Sequence, residues 1–516
     1  MILTRHSTLT FSIIRSHWRT LKSLHIKPDI KQHVTRCLKH SKATSLFCNR
    51  LKAVGEAAVV ELDLNMDVLV DKESYLRMWK SINSRGLVHL KLKDMKETYA
   101  EYDELKQQRE NLELEKDTIS QKFSELMKNK DAVDKKTLDE EKRLLQEKGK
   151  EVKQQLKDTQ VKFADLEEKV ITFVLQLPNY VHDLAPKGVS RRHLTRQWYP
   201  PKEFDFEAKS YMELCGENLE FSPMSPKAYY LKGKLAMLEQ ALIHYTTDHL
   251  LEAGFEQMSC PDMFKTPVLE ACSLYSEEKK KIFSVQPRHS EISKKGREMD
   301  ADYHLIGSSV ASFAAYLMRQ NIAESDLPLL WFNVGRNYNP DVCSDYYIHD
   351  DYMVEYQGLF GVHQNTVVEV FAAGVDQRMA LKLFEYARKQ IYMLYAKFKI
   401  PMGQINPAPR DMRMSESLVS NTYLRLHSTG FNYQVGQVSL CNDYISRRLM
   451  MRYSKKDDSK SKNYLHTVHG TALIVPRAIA ILVEQGQTKD GKFTLPDVLQ
   501  PYMPTAQQKQ HLQETL

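Results

Sequence analysis

The chain lacks acidic residues at its start, where Asp29 is the first aspartate or glutamate. Residues 1–55 hold eleven Lys or Arg residues and that one acid, and they mix Ser and Thr with Leu, Ile, Phe and Trp. A basic, hydroxylated segment that can form an amphipathic helix is typical of a mitochondrial transit peptide. We therefore predict import into the mitochondrial matrix, with a disordered basic arm that binds RNA as the alternative.

Long apolar runs and paired cysteines are also missing. No run approaches the roughly 18 apolar residues of a membrane-spanning helix, and the seven cysteines form no CxxC pair. The sequence therefore gives no case for a zinc site or a disulfide framework. Beyond residue 55 the chain holds 62 basic and 65 acidic residues, a net charge of −3. Any RNA-binding surface there has to be a local patch, because the body as a whole does not attract phosphate.

Apolar residues recur every three or four positions from Leu92 onward. The first stripe runs to Leu126, a polar break follows at Asn129–Asp131, and a heptad repeat runs from Leu138 to Val170. This pattern predicts two helices of about forty residues that form an antiparallel coiled-coil arm about 60 Å long. Such an arm serves either for dimerisation or for reaching RNA. Its tip carries four candidate RNA-binding cations: Lys128, Lys130, Lys135 and Lys136.

Before the arm, Val59–Leu90 begins like a strand, continues as a helix with Trp79, and reads as an N-terminal cap of the arm. After the arm, a stripe that includes Leu231, Leu235, Leu238 and Leu242 predicts a long helix that leads to a strand ending at Pro261.

A long antiparallel hairpin is predicted over Asp326–Phe371. Its flanks alternate or run apolar like strands, and Asn339-Pro340-Asp341 marks a turn between them. Arg336 lies in the first flank. Far downstream, His466–Gln487 reads as a small-residue strand that enters an apolar helix, with Arg477 near the junction.

A hairpin with one arginine, followed late in the chain by a strand–helix unit with another, resembles motifs 2 and 3 of class II aminoacyl-tRNA synthetases. The helix and strand of Leu231–Pro261 resemble motif 1, the dimer-forming motif. The residues between resemble the seryl-tRNA synthetase family from about Leu92 to Met503. They include the Leu-Pro-Asn that ends at Asn179, an opening helix of the body at Phe204–Gly216, and Val362-His363-Gln364. The resemblance implies an α+β fold in which the coiled-coil arm precedes an antiparallel sheet flanked by helices.

The resemblance also implies which residues would hold ATP. The motif arginines remain as Arg336 and Arg477. A glutamate that contacts adenine is replaced by Tyr338, and a phenylalanine that stacks on adenine by Asn365. Two arginines of the returning strand are replaced, and these positions hold Gln357 and Gly361.

The positions implied for serine and metal have changed as well. The family's Thr-Ala-Glu falls at Ser308–Val310, so the isopropyl group of Val310 replaces a carboxylate, whereas the Glu369 carboxylate remains. The resemblance implies a metal-binding glutamate at position 434, where this chain has Gln434. It implies a serine near the metal at position 437, where this chain has Gln437. A neutral amide is a poor ligand for a hard cation. We therefore predict no catalytic residue, no metal and no cofactor, and we interpret Arg336 and Arg477 as vestigial ATP-site residues that pair with nearby carboxylates.

The sequence as a whole predicts four parts: a leader over 1–55, a cap and arm over 56–180, a degenerate synthetase-like domain over 181–503, and a tail over 504–516. We predict a non-catalytic protein that binds mitochondrial tRNA, with serine tRNA as the expected partner, and that supports mitochondrial translation or maintenance. We also predict a homodimer, or a heterodimer with the active mitochondrial seryl-tRNA synthetase, and no membrane span. The alternatives are a divergent but active serine-tRNA ligase and a protein-interaction subunit of the active enzyme.

Overall fold

A computed structural model describes most of the chain beyond the leader. The described residues are 64–128, 135–187, 193–198, 203–274, 282–285, 303–340, 347–349, 352–354, 358–455 and 458–503. The predicted transit peptide, Lys130, Gln357 and the tail from residue 504 lie outside them. The described residues divide into two compact units, 108–168 and the remainder.

Eleven α-helices lie among the described residues. They are α1 Asp67–Val70, α2 Lys72–Arg85, α3 Leu92–Lys128, α4 Lys135–Gln176, α5 Tyr211–Cys215, α6 Gly233–Glu252, α7 Thr266–Ala271, α8 Val310–Leu317, α9 Gln377–Ala396, α10 Tyr444–Leu449 and α11 Val475–Gln485.

The strands fall into one large sheet and several small ones. They are β1 His193–Trp198, β2 Leu219–Ser222, β3 Ser225–Leu231, β4 Glu256–Met258, β5 Met263–Lys265, β6 Ser284–Val285, β7 Tyr303–Leu305, β8 Asn321–Ala323, β9 Leu329–Tyr338, β10 Tyr347–His349, β11 Tyr352–Val354, β12 Gln364–Gly374, β13 Met402–Asn406, β14 Leu418–Arg425, β15 Asn432–Asn442, β16 Arg452–Lys455, β17 Asp458–Tyr464 and β18 His466–Ile474.

The two long helices predicted from the heptad pattern are α3, of 37 residues, and α4, of 42 residues. Within the unit of residues 108–168, the Arg109 guanidinium lies 4.2 Å from the centre of the Phe163 ring. Further along, the Ile119 side chain would lie 3.8 Å from a Cβ added at Gly149. Residues later in α3 therefore contact residues earlier in α4. This is the antiparallel pairing that the sequence predicts. Val152 and Phe163 of the heptad stripe are buried.

The segment before the arm is helical where a strand was predicted. Residues 67–70 form α1, and the Asn65 side chain accepts the Asp67 N–H at its start over 3.1 Å. Val68 and Leu69 both bury against Met78 and Ile82 of α2. Consecutive apolar residues suit one side of a short helix packed on another helix, so the alternation that indicated a strand was misleading.

Eight strands form the central sheet, in the order β1-β13-β14-β15-β18-β12-β9-β4. Strands β9 and β12 pair antiparallel over their whole length, as the predicted hairpin requires, and only β4 joins this sheet parallel to its neighbour. Strand β18 pairs with both β12 and β15 and leads directly into α11. The apolar helix α11 is buried along nearly its whole length and anchors the core.

Two helices differ from their predicted extent. Helix α6 begins at Gly233, so Leu231 belongs to β3, whereas Leu235, Leu238 and Leu242 form the expected stripe. Those three leucines are fully buried in the chain's own core, so they are core residues and not an open dimer surface. Within the predicted opening helix of the body, only Tyr211–Cys215 is helical, because Ser210 and Glu213 form a capping box that starts the helix there.

Candidate functional site

A row of polar residues crosses the centre of the large sheet. The strand register places Asn421 of β14 opposite Gln437 of β15, and Gln437 opposite Thr471 of β18. Thr471 in turn lies opposite Glu369 of β12, and Glu369 opposite Asn333 of β9. Residues that pair directly across a sheet lie on the same face. Five neighbouring strands therefore present polar side chains in one line, and this line forms the floor of the candidate site.

Glu369 is the carboxylate within this row, and it is buried. Its Oε1 accepts from Ser308 Oγ at 2.9 Å and from Thr471 Oγ1 at 3.2 Å. Its Oε2 accepts the backbone N–H of Ser309. Asn333 Nδ2 donates to Ser309 Oγ at 3.1 Å and so holds the same turn. Both oxygens of this carboxylate are therefore hydrogen-bonded to neutral groups of the chain.

Val310, the next residue, begins α8 and is only 2% exposed. It belongs to an apolar cluster with Phe313, Phe371 and Leu449. A carboxylate at this position would have to be desolvated within that cluster, which is unfavourable. The apolar surroundings of Val310 therefore suit valine and not the carboxylate that the resemblance implies.

Glu416 is a second buried carboxylate, and the sequence did not single it out. Its Oε1 accepts from Gln437 Nε2 at 2.9 Å and from Ser439 Oγ at 2.7 Å. Its Oε2 accepts the Arg413 N–H at 2.7 Å. Glu416 therefore adjoins the floor at Gln437, two strands away from Glu369, and it too is surrounded by donors from the chain.

Gln434 and Gln437 connect Glu416 to a motif arginine. Gln434 Nε2 donates to Gln437 Oε1 at 3.1 Å, and Arg477 Nη1 donates to the Gln434 carbonyl at 2.9 Å. The hydrogen bonds thus run without interruption from Arg477 through the two glutamines to Glu416. Where the family resemblance implies metal ligands, the chain has two amides that satisfy each other, and a backbone carbonyl binds the guanidinium expected to pair with a carboxylate.

Arg336 lies on the same sheet and is exposed. It is opposite Thr366 and next to Gln364, whose amide oxygen can accept from Arg336 Nη1 and, at 3.3 Å, from Nε. Burial raises the pKa of Asp262, and the nearby Arg336 guanidinium opposes this rise. Asp262 therefore lies within electrostatic reach of Arg336, and the interpretation of Arg336 as a fold-supporting residue stays a prediction.

The positions implied for adenine carry amides and a phenol. Tyr338 pairs with Gln364, and Asn365 pairs with Asn337. The Oδ1 atoms of Asn337 and Asn365 are buried and have no hydrogen-bond partner among the described residues. The structure therefore brings Tyr338 and Asn365 to adjacent places on β9 and β12, where Tyr338 lacks the carboxylate and Asn365 lacks the aromatic ring that the family resemblance implies at these two positions.

A cluster of aromatic rings directly precedes Gly361, one of the two positions at which an arginine is replaced. The Phe360 and Tyr433 rings lie 4.0 Å apart between centroids, and Tyr211 meets Phe360 edge-on at 5.9 Å. Tyr211 Oη accepts the Leu359 N–H at 3.1 Å, and burial raises the pKa of Tyr211 to about 12. Gly361, which follows this turn, is buried. Tyr433 directly precedes Gln434, so apolar packing reaches the edge of the polar floor.

Arg85 of α2 is a buried cation that sequence analysis missed. Its Nη1 donates to the carbonyls of Arg413 at 3.0 Å and Met412 at 3.3 Å, and its Nη2 donates to that of Glu416. Burial lowers the pKa of Arg85 to about 10, and the nearby Glu416 opposes this shift. Arg85 follows Met78 and Ile82 at helical spacing, so an arginine in an apolar stripe was the available signal.

The same segment is held by Asn179, part of the Leu-Pro-Asn that carried the family resemblance. Asn179 Nδ2 donates to the Ser415 carbonyl at 2.8 Å and to the Cys441 carbonyl at 2.7 Å. The segment Pro409–Ser417, which carries Glu416, is therefore fastened by one side chain from α2 and one from the end of the arm.

His469 of β18 is buried beside Glu416. It lies opposite Ser439 on one side and Phe371 on the other. Burial lowers the pKa of His469 to about 4, although Glu416 acts in the opposite direction. The imidazole is therefore neutral near pH 7 and brings no positive charge to Glu416.

The structure describes only the backbone positions of three of the four candidate RNA-binding lysines of the arm. Lys128 ends α3, and Lys135 and Lys136 begin α4, but their side chains and all of Lys130 lie outside the described residues. Within the described part of the chain, no three or more His, Cys, Asp or Glu side chains group as a metal site would require. A search of the same residues found no helix with the length and apolar character of a membrane span.

Comparisons with known proteins agree with this architecture. Residues 77–181 match the model of the seryl-tRNA synthetase N-terminal domain. The mitochondrial serine–tRNA ligase of Mus musculus is 28% identical over 420 residues, which cover 79% of this chain and 76% of the mouse protein. That of Bos taurus is also 28% identical, over 81% of this chain and 79% of the bovine protein.

A solved structure shares the fold. The seryl-tRNA synthetase from Pyrococcus horikoshii, crystallised in complex with ATP, superposes with a TM-score of 0.71 at 20% identity. The match covers 86% of this chain and 100% of that protein. The predicted resemblance and the predicted fold are therefore confirmed.

Proposed function

We propose that this seryl-tRNA synthetase-like protein binds mitochondrial tRNA, with serine tRNA as its expected ligand, and does not form seryl-adenylate. The observation that carries the proposal is the hydrogen-bonded chain Arg477–Gln434–Gln437–Glu416. Arg477, Gln434 and Gln437 stand where the family resemblance implies an arginine for phosphate and residues at a metal ion, and here they are hydrogen-bonded to one another and to Glu416.

Adenylate formation depends on groups that neutralise the phosphates and hold Mg²⁺ in a fixed geometry. Removing one group that acts mainly in the transition state typically costs about 3–4 kcal/mol, or 10²–10³ in rate. Here Val310 is packed in an apolar cluster, and Gln434 lacks the charge that a hard cation prefers. Such losses are not additive, but several together leave little catalysis.

The binding half of the proposal is supported by the arm. The family model that matches residues 77–181 describes the N-terminal domain of seryl-tRNA synthetases, and α3 and α4 make up most of this range. Two relatives are named as mitochondrial serine–tRNA ligases, which agrees with the acid-free, basic start of the chain. We place the protein in the mitochondrial matrix on these grounds.

A dimer completes the proposal, formed either between two copies or with the active mitochondrial enzyme. The leucine stripe of α6 is buried in the core of the chain itself. A dimer interface at motif 1 therefore has to be formed by other residues around α6 and β4. A mixed dimer would let an inactive subunit hold tRNA for an active partner.

Serine-dependent exchange of pyrophosphate into ATP tests the catalytic half. The full chain should give no exchange above background, with the mouse mitochondrial enzyme as the active control. Exchange above background would favour the alternative of a divergent ligase.

A gel shift with a transcript of mitochondrial serine tRNA tests the binding half. We expect a shift that weakens when Lys128, Lys130, Lys135 and Lys136 are changed together to Glu. Absence of a shift, together with co-purification of the active synthetase, would favour the interaction-subunit alternative.

A further inference from the structure

We propose that the body of the protein carries a second RNA-binding surface, around α10 and the β16–β17 hairpin. This basic surface consists of Arg319, Arg447, Arg452 and Lys455. The inference rests on the proposed function as a tRNA binder and names a contact on the body that is separate from the arm.

Charge is concentrated in this part of an otherwise slightly acidic body. Residues 447–462 hold seven Lys or Arg residues and two Asp residues, a net charge of +5 over sixteen positions. The chain beyond residue 55 has a net charge of −3, so this segment is a local exception to its surroundings. RNA binding to an acidic body requires such a local patch, because phosphate contacts supply most of the sequence-independent affinity.

The fold brings separate cations of this surface together. Strand β8 pairs parallel with β16, which places Arg452 next to Asn321, and the Arg452 N–H donates to the Gln320 carbonyl at 2.9 Å. The Arg319 N–H donates to the Leu449 carbonyl at the end of α10 over 3.0 Å. Arg319 is exposed, and so is Lys455 at the end of β16. Residues 130 positions apart in the sequence therefore border one surface.

Two guanidinium groups of this surface are held in place by one aromatic ring. Arg447 and Arg452 lie 5.0 Å and 5.6 Å from the centre of the Tyr464 ring, and Tyr464 is buried. Asp443 binds Arg447 at 2.5 Å and offsets its charge, so the remaining cations supply most of the attraction. A planar guanidinium that is already oriented loses less rotamer freedom when it binds phosphate than a free side chain does.

An exposed aromatic residue next to the cations favours RNA over a lipid surface. Tyr316 on α8 is 55% exposed, and its ring meets the Trp331 ring edge-on at 5.7 Å. Gln320, whose carbonyl binds β16, donates through Nε2 to the Tyr316 carbonyl at 2.6 Å. Aromatic side chains beside a cationic groove provide stacking platforms for bases in single-stranded nucleic acid. Unpaired nucleotides of a tRNA, at a loop or an end, have the chemistry that this arrangement fits.

The test compares two triple variants of the full chain, with the mitochondrial serine tRNA transcript as the probe. The surface variant carries Arg319→Gln, Arg452→Gln and Lys455→Gln. The matched control carries Arg378→Gln, Lys382→Gln and Lys389→Gln, which remove three cations from exposed positions on α9. We expect the surface variant to bind at least about tenfold more weakly and its salt slope to fall by about 2–3, since each lost phosphate contact removes about 0.7–0.9. The control should match the wild type.

Tyr316 provides a second, independent measurement. Tyr316→Ala should weaken binding at least about fivefold without changing the salt slope, whereas Tyr316→Phe, which keeps the ring, should bind as the wild type does.

Two outcomes overturn this inference while leaving the proposed function intact: wild-type binding that neither the surface variant nor Tyr316→Ala weakens, and equal losses in the surface variant and its control. If the wild type binds no transcript, the proposed function itself fails. In that case, binding to vesicles of anionic lipid that the surface variant loses would assign the surface to a membrane and overturn the RNA inference.

Discussion

Gln437 donates to Glu416 through Nε2 at 2.9 Å while its Oε1 accepts from Gln434. The amide of Gln437 is thus used at both ends, and its orientation is fixed by a carboxylate that only accepts and a primary amide that donates. A serine or a carboxylate at position 437 could not bridge these two groups in this way. The glutamines at 434 and 437 therefore function as a pair.

Returning Gln434 to glutamate should damage this pair without restoring catalysis. A glutamate at 434 would present an acceptor to the Gln437 oxygen, so one partly buried hydrogen bond is lost and two acceptors face each other. We expect Gln434→Glu to lower the free energy of unfolding by about 1–3 kcal/mol, as measured by urea denaturation. The control Gln500→Glu changes an exposed glutamine that donates to the Leu495 carbonyl, and should cost well below about 1 kcal/mol. A Gln434→Glu variant that is as stable as the wild type and exchanges pyrophosphate would show that the glutamines have no joint role.

Restoring the carboxylate at position 310 should fail for a different reason. Val310 is packed with Phe313 and Phe371, so a glutamate there is desolvated among apolar side chains. We expect Val310→Glu to destabilise the protein by more than about 3 kcal/mol, compared with about 1–3 kcal/mol for a substitution that removes only the two methyl groups. Val310→Ala is the matched control, and thermal unfolding is the measurement. Similar melting temperatures for the two variants would mean that position 310 opens to solvent.

Stability should decrease as the pH falls from about 7 to about 4, and His469 should account for part of the decrease. Its folded-state pKa is lowered to about 4, while an unfolded histidine titrates near its ordinary value of about 6.5. Between these values the unfolded chain binds the proton and the folded chain does not, so acid favours unfolding. The titration of His469 should lower the free energy of unfolding by about 1–2 kcal/mol at pH 5 relative to pH 7.5.

His469→Gln removes this titration, so its stability should depend less on pH over that range than that of the wild type. His244→Gln, at an exposed position of α6, is the control that should retain the wild-type dependence. Parallel pH profiles for wild type and His469→Gln would contradict the assignment.

Local patterns predicted the parts of the fold in which contacts are close in sequence. The heptad repeat gave α3 and α4, and the strand–helix signal around Arg477 gave β18 and α11. The long hairpin gave β9 and β12, which places Arg336 and Glu369 on adjacent strands. The short helix α1 was misjudged because four residues cannot distinguish strand from helix periodicity.

The floor of the site could not be predicted from single residues. It depends on the register of five strands, and Asn333 and Thr471 meet Glu369 only because β9 and β18 flank β12. Glu416 gave no signal for a similar reason, since its partners Gln437 and Ser439 are on another strand. Family resemblance identified the replaced positions, but only the structure shows that the replacements at 434 and 437 bind each other and a third group.

Substitution of Arg85 should lower the free energy of unfolding more than substitution of any other single residue before the arm. Its guanidinium donates to carbonyls of Met412, Arg413 and Glu416, and a buried carbonyl that loses its donor costs about 1–3 kcal/mol. We therefore expect Arg85→Met to lower the free energy of unfolding by about 3 kcal/mol or more. Arg85→Lys should recover part of this loss, because an ammonium group carries the charge but lacks the planar fork that serves several acceptors.

The control for Arg85 lies two turns earlier on the same helix. Arg77 is exposed, and its guanidinium lies 4.7 Å from the centre of the Tyr180 ring, so Arg77→Met should cost no more than about 1 kcal/mol. Hydrogen exchange provides the site-specific readout. In Arg85→Met the backbone amides of residues 409–417 should exchange faster than in the wild type, whereas in Arg77→Met they should not. If Arg85→Met left that segment protected, Asn179 alone would suffice to hold it. If the segment exchanges faster, the helix before the arm controls the position of Glu416, and with it the hydrogen bonds that run through Gln437 and Gln434 to Arg477.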